Sequence, residues 1–207
     1  LLGSLGALTR SIDAKDPYTH GHSERVAVVA RRLAQRMHLS AEDIETVYLT
    51  GLLHDIGKIG VREAVLGKPG KLEHHEFDEI RRHPRIGADI LSGIKQMASV
   101  TPGVLTHHER FDGSGYPQGL SGRKIPLTGR IVQLADSFDA MISNRTYRRA
   151  LPMDAALCEI RRFAGTQFDP DIADQILTCD MHSLYEEMQN VSRRIDAASQ
   201  PALAIRQ

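Results

Sequence analysis

Ten histidines stand in this chain of 207 residues, beside five Tyr, five Phe and no Trp. Histidine is the commonest metal ligand and the natural proton carrier near neutral pH, so their placement is the first question. His54-Asp55 closes an apolar stretch, Leu52-Leu53-His54-Asp55-Ile56-Gly57-Lys58. A carboxylate buried among apolar residues is costly unless something pairs with it. Two readings stand: a cation satisfies both side chains, or Asp55 caps a turn before Gly57 and His54 is exposed. Further candidates lie along the chain. His22 opens a helical stretch, His83 sits between Arg82 and Pro84, and His107-His108 end an apolar segment. Asp136 closes the run Ile131-Val132-Gln133-Leu134-Ala135. Neighbouring residues on a regular helix point about 100° apart, so His107 and His108 can serve one ion only where the helix ends. The loop that follows them implies that it does.

These residues need a scaffold, and the spacing makes it helical. Strand signals are scarce, while apolar residues recur at helical intervals. Val26, Val29, Ala30, Leu33 and Met37 form one face of a helix over 22–37. Ser40 caps a second, with Glu42 and Asp43 in its first turn and Ile44, Val47, Tyr48, Leu52 and Leu53 as its stripe. Gly57 and Gly60 end it. Shorter helices are expected over 74–82, 84–92 and 101–108, then over 127–143, 153–164 and 170–179. From 183 a last helix is expected to turn Tyr185, Met188, Val191 and Ile195 to one side. Residues 110–126 carry Gly113, Gly115, Pro117, Gly119, Gly122 and Pro126, a long loop of the kind that tends to be functional. His38, His74, His75 and His182 read as solvated side chains.

Composition excludes several classes. Lys plus Arg is 26 and Asp plus Glu is 26, so no basic field exists to grip a nucleic-acid polymer. No apolar run is long enough to span a bilayer. Cys158 and Cys179 form neither a disulfide framework nor a CxxC site and read as reduced core thiols, in keeping with a cytoplasmic location. The start lacks Met and has no basic flank or cleavage site, so the chain reads as a piece of a longer one.

The order His22, His54-Asp55, His83, His107-His108, Asp136 resembles the HD-GYP family of the HD phosphohydrolase superfamily. Matching segments are Tyr18-Thr19-His20-Gly21-His22, His54-Asp55-Ile56-Gly57-Lys58 and His107-His108-Glu109-Arg110-Phe111-Asp112-Gly113-Ser114-Gly115-Tyr116-Pro117. Ala135-Asp136-Ser137-Phe138-Asp139-Ala140 and Arg145-Thr146-Tyr147-Arg148 complete the set. The likeness covers roughly residues 10–180. It implies an all-α HD-domain bundle and hydrolysis of cyclic di-GMP by a hydroxide bridging two metal ions. The resemblance assigns His22, His54 and Asp136 to one ion and His83, His107 and His108 to the other, with Asp55 shared. An N/O donor set suits Fe or Mn and can also hold Zn, while the absence of thiolates argues against a structural zinc. Lys58 would charge-stabilise the phosphate or stay solvated. Arg145 and Arg148 would grip phosphates or complement a helix end. Asp112, Gly113 and Tyr116 would shape the pocket, Tyr116 stacking on a base, or serve plain turn chemistry. Family members with a third metal carry Glu four residues before the first ligand histidine. Here Tyr18 stands there, and a phenol with a pKa of about 10 is a poor ligand, so two ions are expected.

Three functions remain open from the sequence. One is a phosphodiesterase making pGpG, with GMP as a further product, from cyclic di-GMP or a relative such as cyclic GMP-AMP. Another is a different HD-type nucleotide phosphohydrolase. The third is a catalytically silent cyclic-dinucleotide sensor. The expected organisation is a linker helix end over 1–14 from a missing sensory or receiver domain, the catalytic domain over 15–182, and a C-terminal helix and tail over 183–207. Leu5, Leu8 and Ile12 suit a homodimer contact.

Overall fold

A computed structural model of the chain describes Thr9 and residues 21–144 and 149–199. The expectations for Tyr18, Arg145, Arg148, the linker over 1–14 (save Thr9) and the tail beyond 199 lie outside the described residues.

The described residues are helical, with no strand among them and one isolated bridge between Ala164 and Phe168. In order the helices are α1 (His22–Arg36), α2 (Ala41–Leu53), α3 (Glu63–Leu66), α4 (His74–Ile80) and α5 (His83–Ser92). They continue with α6 (Thr101–Thr106), α7 (Leu127–Ile142), α8 (Met153–Phe163), α9 (Pro170–Leu177) and α10 (Met181–Ser199). A 3-10 turn at Ile56–Gly60 follows α2, and shorter ones lie at Lys95–Met97 and Gly122–Lys124. The all-α expectation holds.

Local chemistry sets the boundaries. Ser40 Oγ accepts from the Asp43 amide at 3.1 Å and caps α2. Asp43 does not close a reciprocal box; its carboxylate accepts the Ser40 hydroxyl at 2.6 Å. The full capping box falls instead on α4, between Glu73 and Glu76. Pro84, Pro102 and Pro170 stand in first turns, where a missing N–H costs nothing.

Two apolar clusters hold the bundle. In the larger, Val26, Val29 and Leu33 of α1 meet Ile131, Leu134 and Phe138 of α7, with Ile160, Ile172, Ile176, Leu184 and Met188 around them. In the smaller, Ala27 of α1 joins Leu52, Leu53, Ile56, Leu91, Met97, Val100 and Val104. Helix α1 thus contributes to both, and its first residue is His22.

Two expectations are corrected. Cys158 is exposed and Cys179 half-buried, so neither is a core thiol. Helix α8 buries Ala156 and Ile160, which leaves Cys158 on the outer face. In α10 the buried stripe is Leu184, Met188 and Ile195, while Tyr185 is 45% exposed. The register is one residue off at that end, and Leu184 takes the place expected of Tyr185.

Candidate metal centre

Helix ends deliver most of the candidate ligands. His22 is the first residue of α1, His83 the first of α5, and His54 and His107 are the C-terminal caps of α2 and α6. Asp55 and His108 each follow a cap, and Asp136 projects from the middle of α7. Helix α6 ends at Thr106 with His107 as its cap, and the rings of His107 and His108 lie 4.1 Å apart. The structure gathers His22, His54 and Asp136 into one group and His83, His107 and His108 into another. Within each group the ligand atoms lie within 4.8 Å of one another. A third group, His54, Asp55 and His107, joins the two.

Backbone carbonyls orient three of these rings. His54 Nδ1 donates to Gly51 O, His83 Nδ1 to Ile80 O and His107 Nδ1 to Val104 O, each at 2.7 Å. Each acceptor lies three residues back, at a helix end whose last carbonyls lack intrahelical donors. A carbonyl can only accept, so each Nδ1 carries the proton and, in the neutral ring, each Nε2 a lone pair. His54 Nε2 is buried and makes no hydrogen bond, although Asp55 Oδ2 is 3.3 Å away. The Nε2 atoms of His83 and His107 face each other at 3.2 Å, and Asp55 Oδ1 lies 3.3 Å from the former. Two lone pairs and a carboxylate oxygen converging on one buried point call for a cation, so the residues fit divalent metal ions.

His22 is oriented differently, by a residue the sequence reading quoted without a role. Its Nδ1 lies 2.7 Å from Asp139 Oδ2, and Arg25 holds the same carboxylate through Nε at 2.7 Å and Nη2 at 3.0 Å. Asp139 is one turn beyond Asp136 on α7. A carboxylate behind a ligating histidine fixes the ring and raises its basicity. The available signal was an acid in an apolar helix, three residues from another candidate.

Charge at the site divides by ligand group, with His22 and His54 both raised by neighbouring carboxylates. Burial disfavours protonated His22, but Asp136 and Asp139 outweigh it and raise its pKa to about 10. Burial dominates for the other group, lowering His83 to about 4 and, with help from nearby His83, His108 to about 3. Burial would raise the Asp55 pKa, but Lys58 and His54 hold it well below the ordinary carboxylate value. Lys58 Nζ lies 2.7 Å from Asp55 Oδ2.

The glycine-rich loop is tied down. Buried Glu109 accepts from the amides of Gln118 at 2.7 Å and Leu120 at 3.0 Å. The amides of Phe111 and Asp112 reach across to Gln167 O and Thr166 O. Asp112 accepts from the Ser114 amide and hydroxyl, so it shapes the turn, and Gly113 has a φ of 86° that favours glycine. Tyr116 stacks on His108 with centroids 4.8 Å apart. Glu109 was not singled out from the sequence; nothing in its spacing distinguishes it from a surface acid. The remaining histidines follow expectation where described: His75 and His182 are exposed.

The fold is helical and carries a buried cluster of imidazoles and carboxylates that could hold metal ions. The family model described as HD domain matches residues 7–172, and the chain belongs to that family. It is 45% identical over 177 residues to the cyclic di-GMP phosphodiesterase response regulator RpfG of Xanthomonas campestris, covering 84% of this chain and 47% of that protein. It is 41% identical over 184 residues to a cyclic di-GMP phosphodiesterase of Thermotoga maritima, covering 87% and 48%. Among solved structures, a cyclic GMP-AMP specific phosphodiesterase of Vibrio cholerae, V-cGAP3, shares the fold with a TM-score of 0.70 at 19% identity, covering 93% of this chain and 52% of that one. The chain spans about half the length of the curated relatives it matches.

Proposed function

We propose that this chain is a metal-dependent phosphodiesterase of the HD-GYP type that hydrolyses cyclic di-GMP to pGpG, with GMP as a further product. The observation that carries this is the pair of three-ligand groups joined through Asp55, His54 and His107. Such a pair matches the two-ion sites that cleave phosphodiesters. The names of the 45% and 41% identical relatives supply the substrate.

His22, His54 and Asp136 would hold one ion and His83, His107 and His108 the other, with Asp55 between them. When bound, such ions supply an activated water at neutral pH and positive charge for the phosphoryl oxygens; Fe or Mn is the proposed pair, with Zn compatible. The protein's part is preorganisation. Helix-end carbonyls fix three Nε2 lone pairs, Asp139 fixes the fourth ring, and the buried Asp55 stays ionised. Lys58 shifts from Asp55 toward the phosphate as negative charge develops. Arg145 and Arg148 are the proposed phosphate grips, and the loop bearing Asp112, Gly113 and Tyr116 walls the pocket. The water oxygen forms a bond to phosphorus, the bond to the ribose 3′ oxygen breaks, and a proton ends on that oxygen.

Among the described residues no helix is long and apolar enough to cross a membrane. We propose action in the cytoplasm under control of a sensory or receiver domain, a partner suggested by the response-regulator relative, with homodimerisation through the start of the chain.

The test is metal analysis and hydrolysis on one anaerobically purified sample, beside Asp55→Ala. Two ions per chain and pGpG formed by the parent, with at least a ~10³-fold loss in the variant, are expected. Metal bound without cleavage of any cyclic dinucleotide overturns the reading in favour of the sensor or another nucleotide phosphohydrolase.

A further inference from the structure

Arg81 stands out among the cations near the centre. It caps the C-terminus of α4, two residues before His83. Its guanidinium carbon lies 4.8 Å from the Tyr116 ring centroid and 5.9 Å from that of Phe77. The same Tyr116 ring stacks on His108 at 4.8 Å, so two ring contacts connect Arg81 to the candidate ligands. Other arginines here are committed: Arg25 to Asp139, Arg62 to Glu79, Arg130 to Asp169. Among the described residues the Arg81 guanidinium makes no hydrogen bond or ion pair, only these aromatic contacts. Phe77, one turn earlier on the same helix, is 48% exposed, an unusual place for a phenyl ring.

An arginine over aromatic faces keeps its planar fork of donors available at the edge. That fork matches the O6 and N7 acceptors of guanine, and an exposed ring beside it offers a stacking face for the base. Position decides between base and phosphate. If the scissile phosphate sits on the ions beside Lys58, a group two ring contacts away meets the attached nucleoside and not the reacting phosphorus. We infer that Arg81 and Phe77 form a guanine-reading subsite at the mouth of the metal centre, Arg81 pairing with O6 and N7 and Phe77 stacking on the base. This rests on the cyclic-dinucleotide reading and adds to it the residues that select guanine.

The test compares cyclic di-GMP with an analogue whose guanine N7 atoms are replaced by carbon. Metal-loaded wild type, Arg81→Ala, Arg81→Lys and Phe77→Ala are assayed for cleavage and binding. Wild type is expected to disfavour the analogue about tenfold in kcat/KM. Arg81→Ala and Arg81→Lys are both expected to lose about tenfold on cyclic di-GMP, mainly in KM, and to treat the two substrates alike. Phe77→Ala is expected to raise KM about tenfold for both with kcat unchanged. Unchanged metal content and Tm in the variants separate these losses from misfolding. A wild-type-like Arg81→Lys makes Arg81 a simple phosphate charge and overturns the assignment. So does an analogue penalty that survives in Arg81→Ala, or an unchanged KM in Phe77→Ala. If wild type neither binds nor cleaves cyclic di-GMP, the substrate reading falls and takes the subsite with it. If wild type binds it and the analogue discrimination is absent, the subsite alone falls.

Discussion

Three imidazoles owe their orientation to helix ends, and one owes it to a carboxylate. His54, His83 and His107 each spend Nδ1 on a carbonyl three residues back. His22 begins a helix, where no such carbonyl is offered, and Asp139 takes that role. Asp139→Asn is therefore expected to weaken metal binding by about 10–100-fold, measured by chelator competition, with the loss confined to one of two ions. Equal affinity in the variant would show that Asp139 serves only Arg25. Asp55 and Asp136 stood out in the sequence because acids in apolar runs need a partner, whereas the assignment of all seven ligands, His22 and His83 included, came from the family resemblance. Asp139 was quoted but given no role, since its value comes from facing a residue 117 positions away. Arg81 and Phe77 were invisible for a similar reason: an Arg and a Phe on a short polar helix look like ordinary surface.

At the scale of elements, the helices followed from 3.6-residue spacing, and the errors concerned which side chains of two C-terminal helices are buried. Cys158 and Tyr185 were each placed on the wrong face of a C-terminal helix. How elements meet was not legible. A Cβ on Gly57 would lie 1.9 Å from His83 O and 2.5 Å from Gly87 N, so the turn after Asp55 is pressed against the start of α5. That contact brings Asp55 Oδ1 beside His83. Gly57→Ala is expected to cost about 3 kcal/mol or more in stability and to lower metal content. Gly93→Ala, whose Cβ would meet nothing nearer than 3.7 Å, is expected to stay within about 0.5 kcal/mol. Denaturant titration of both variants checks this, and equal losses would count against the contact. The glycine-rich loop could be read as ordered or mobile from composition alone; Glu109 decides for order. Glu109→Ala strips partners from two amides and is expected to cost about 2–3 kcal/mol, with faster proteolysis across 110–122. Unchanged proteolysis would mean that the links to Thr166 and Gln167 suffice.

For the whole molecule, the candidate ligands come from helices distant in sequence, so bound ions would fasten those helices together. Chelation is expected to lower Tm by about 5–10 °C, read by calorimetry, since ions that bind only the fold stabilise it by mass action. The metal-free protein has its own pH signature. His22, raised to about 10 from an ordinary 6.5, stabilises the fold fully below pH 6.5, and this is lost as pH climbs toward 10. His83 and His108, lowered to about 4 and about 3, favour the fold above pH 6.5, and this is lost as pH falls through that range. Metal-free Tm should therefore peak near pH 6.5, and a Tm rising steadily from pH 5 to 9 would contradict the pairing of His22 with Asp136 and Asp139. The two ligand groups also differ in when they become complete. His83, His107 and His108 lie within 26 residues, while the other group waits for Asp136. A chain emerging from the ribosome exposes the compact triad first, and only the docking of α7 supplies the last ligand of its neighbour. Under the proposed two-ion centre, the His83 side is therefore the one whose ligands can be complete before α7 is in place.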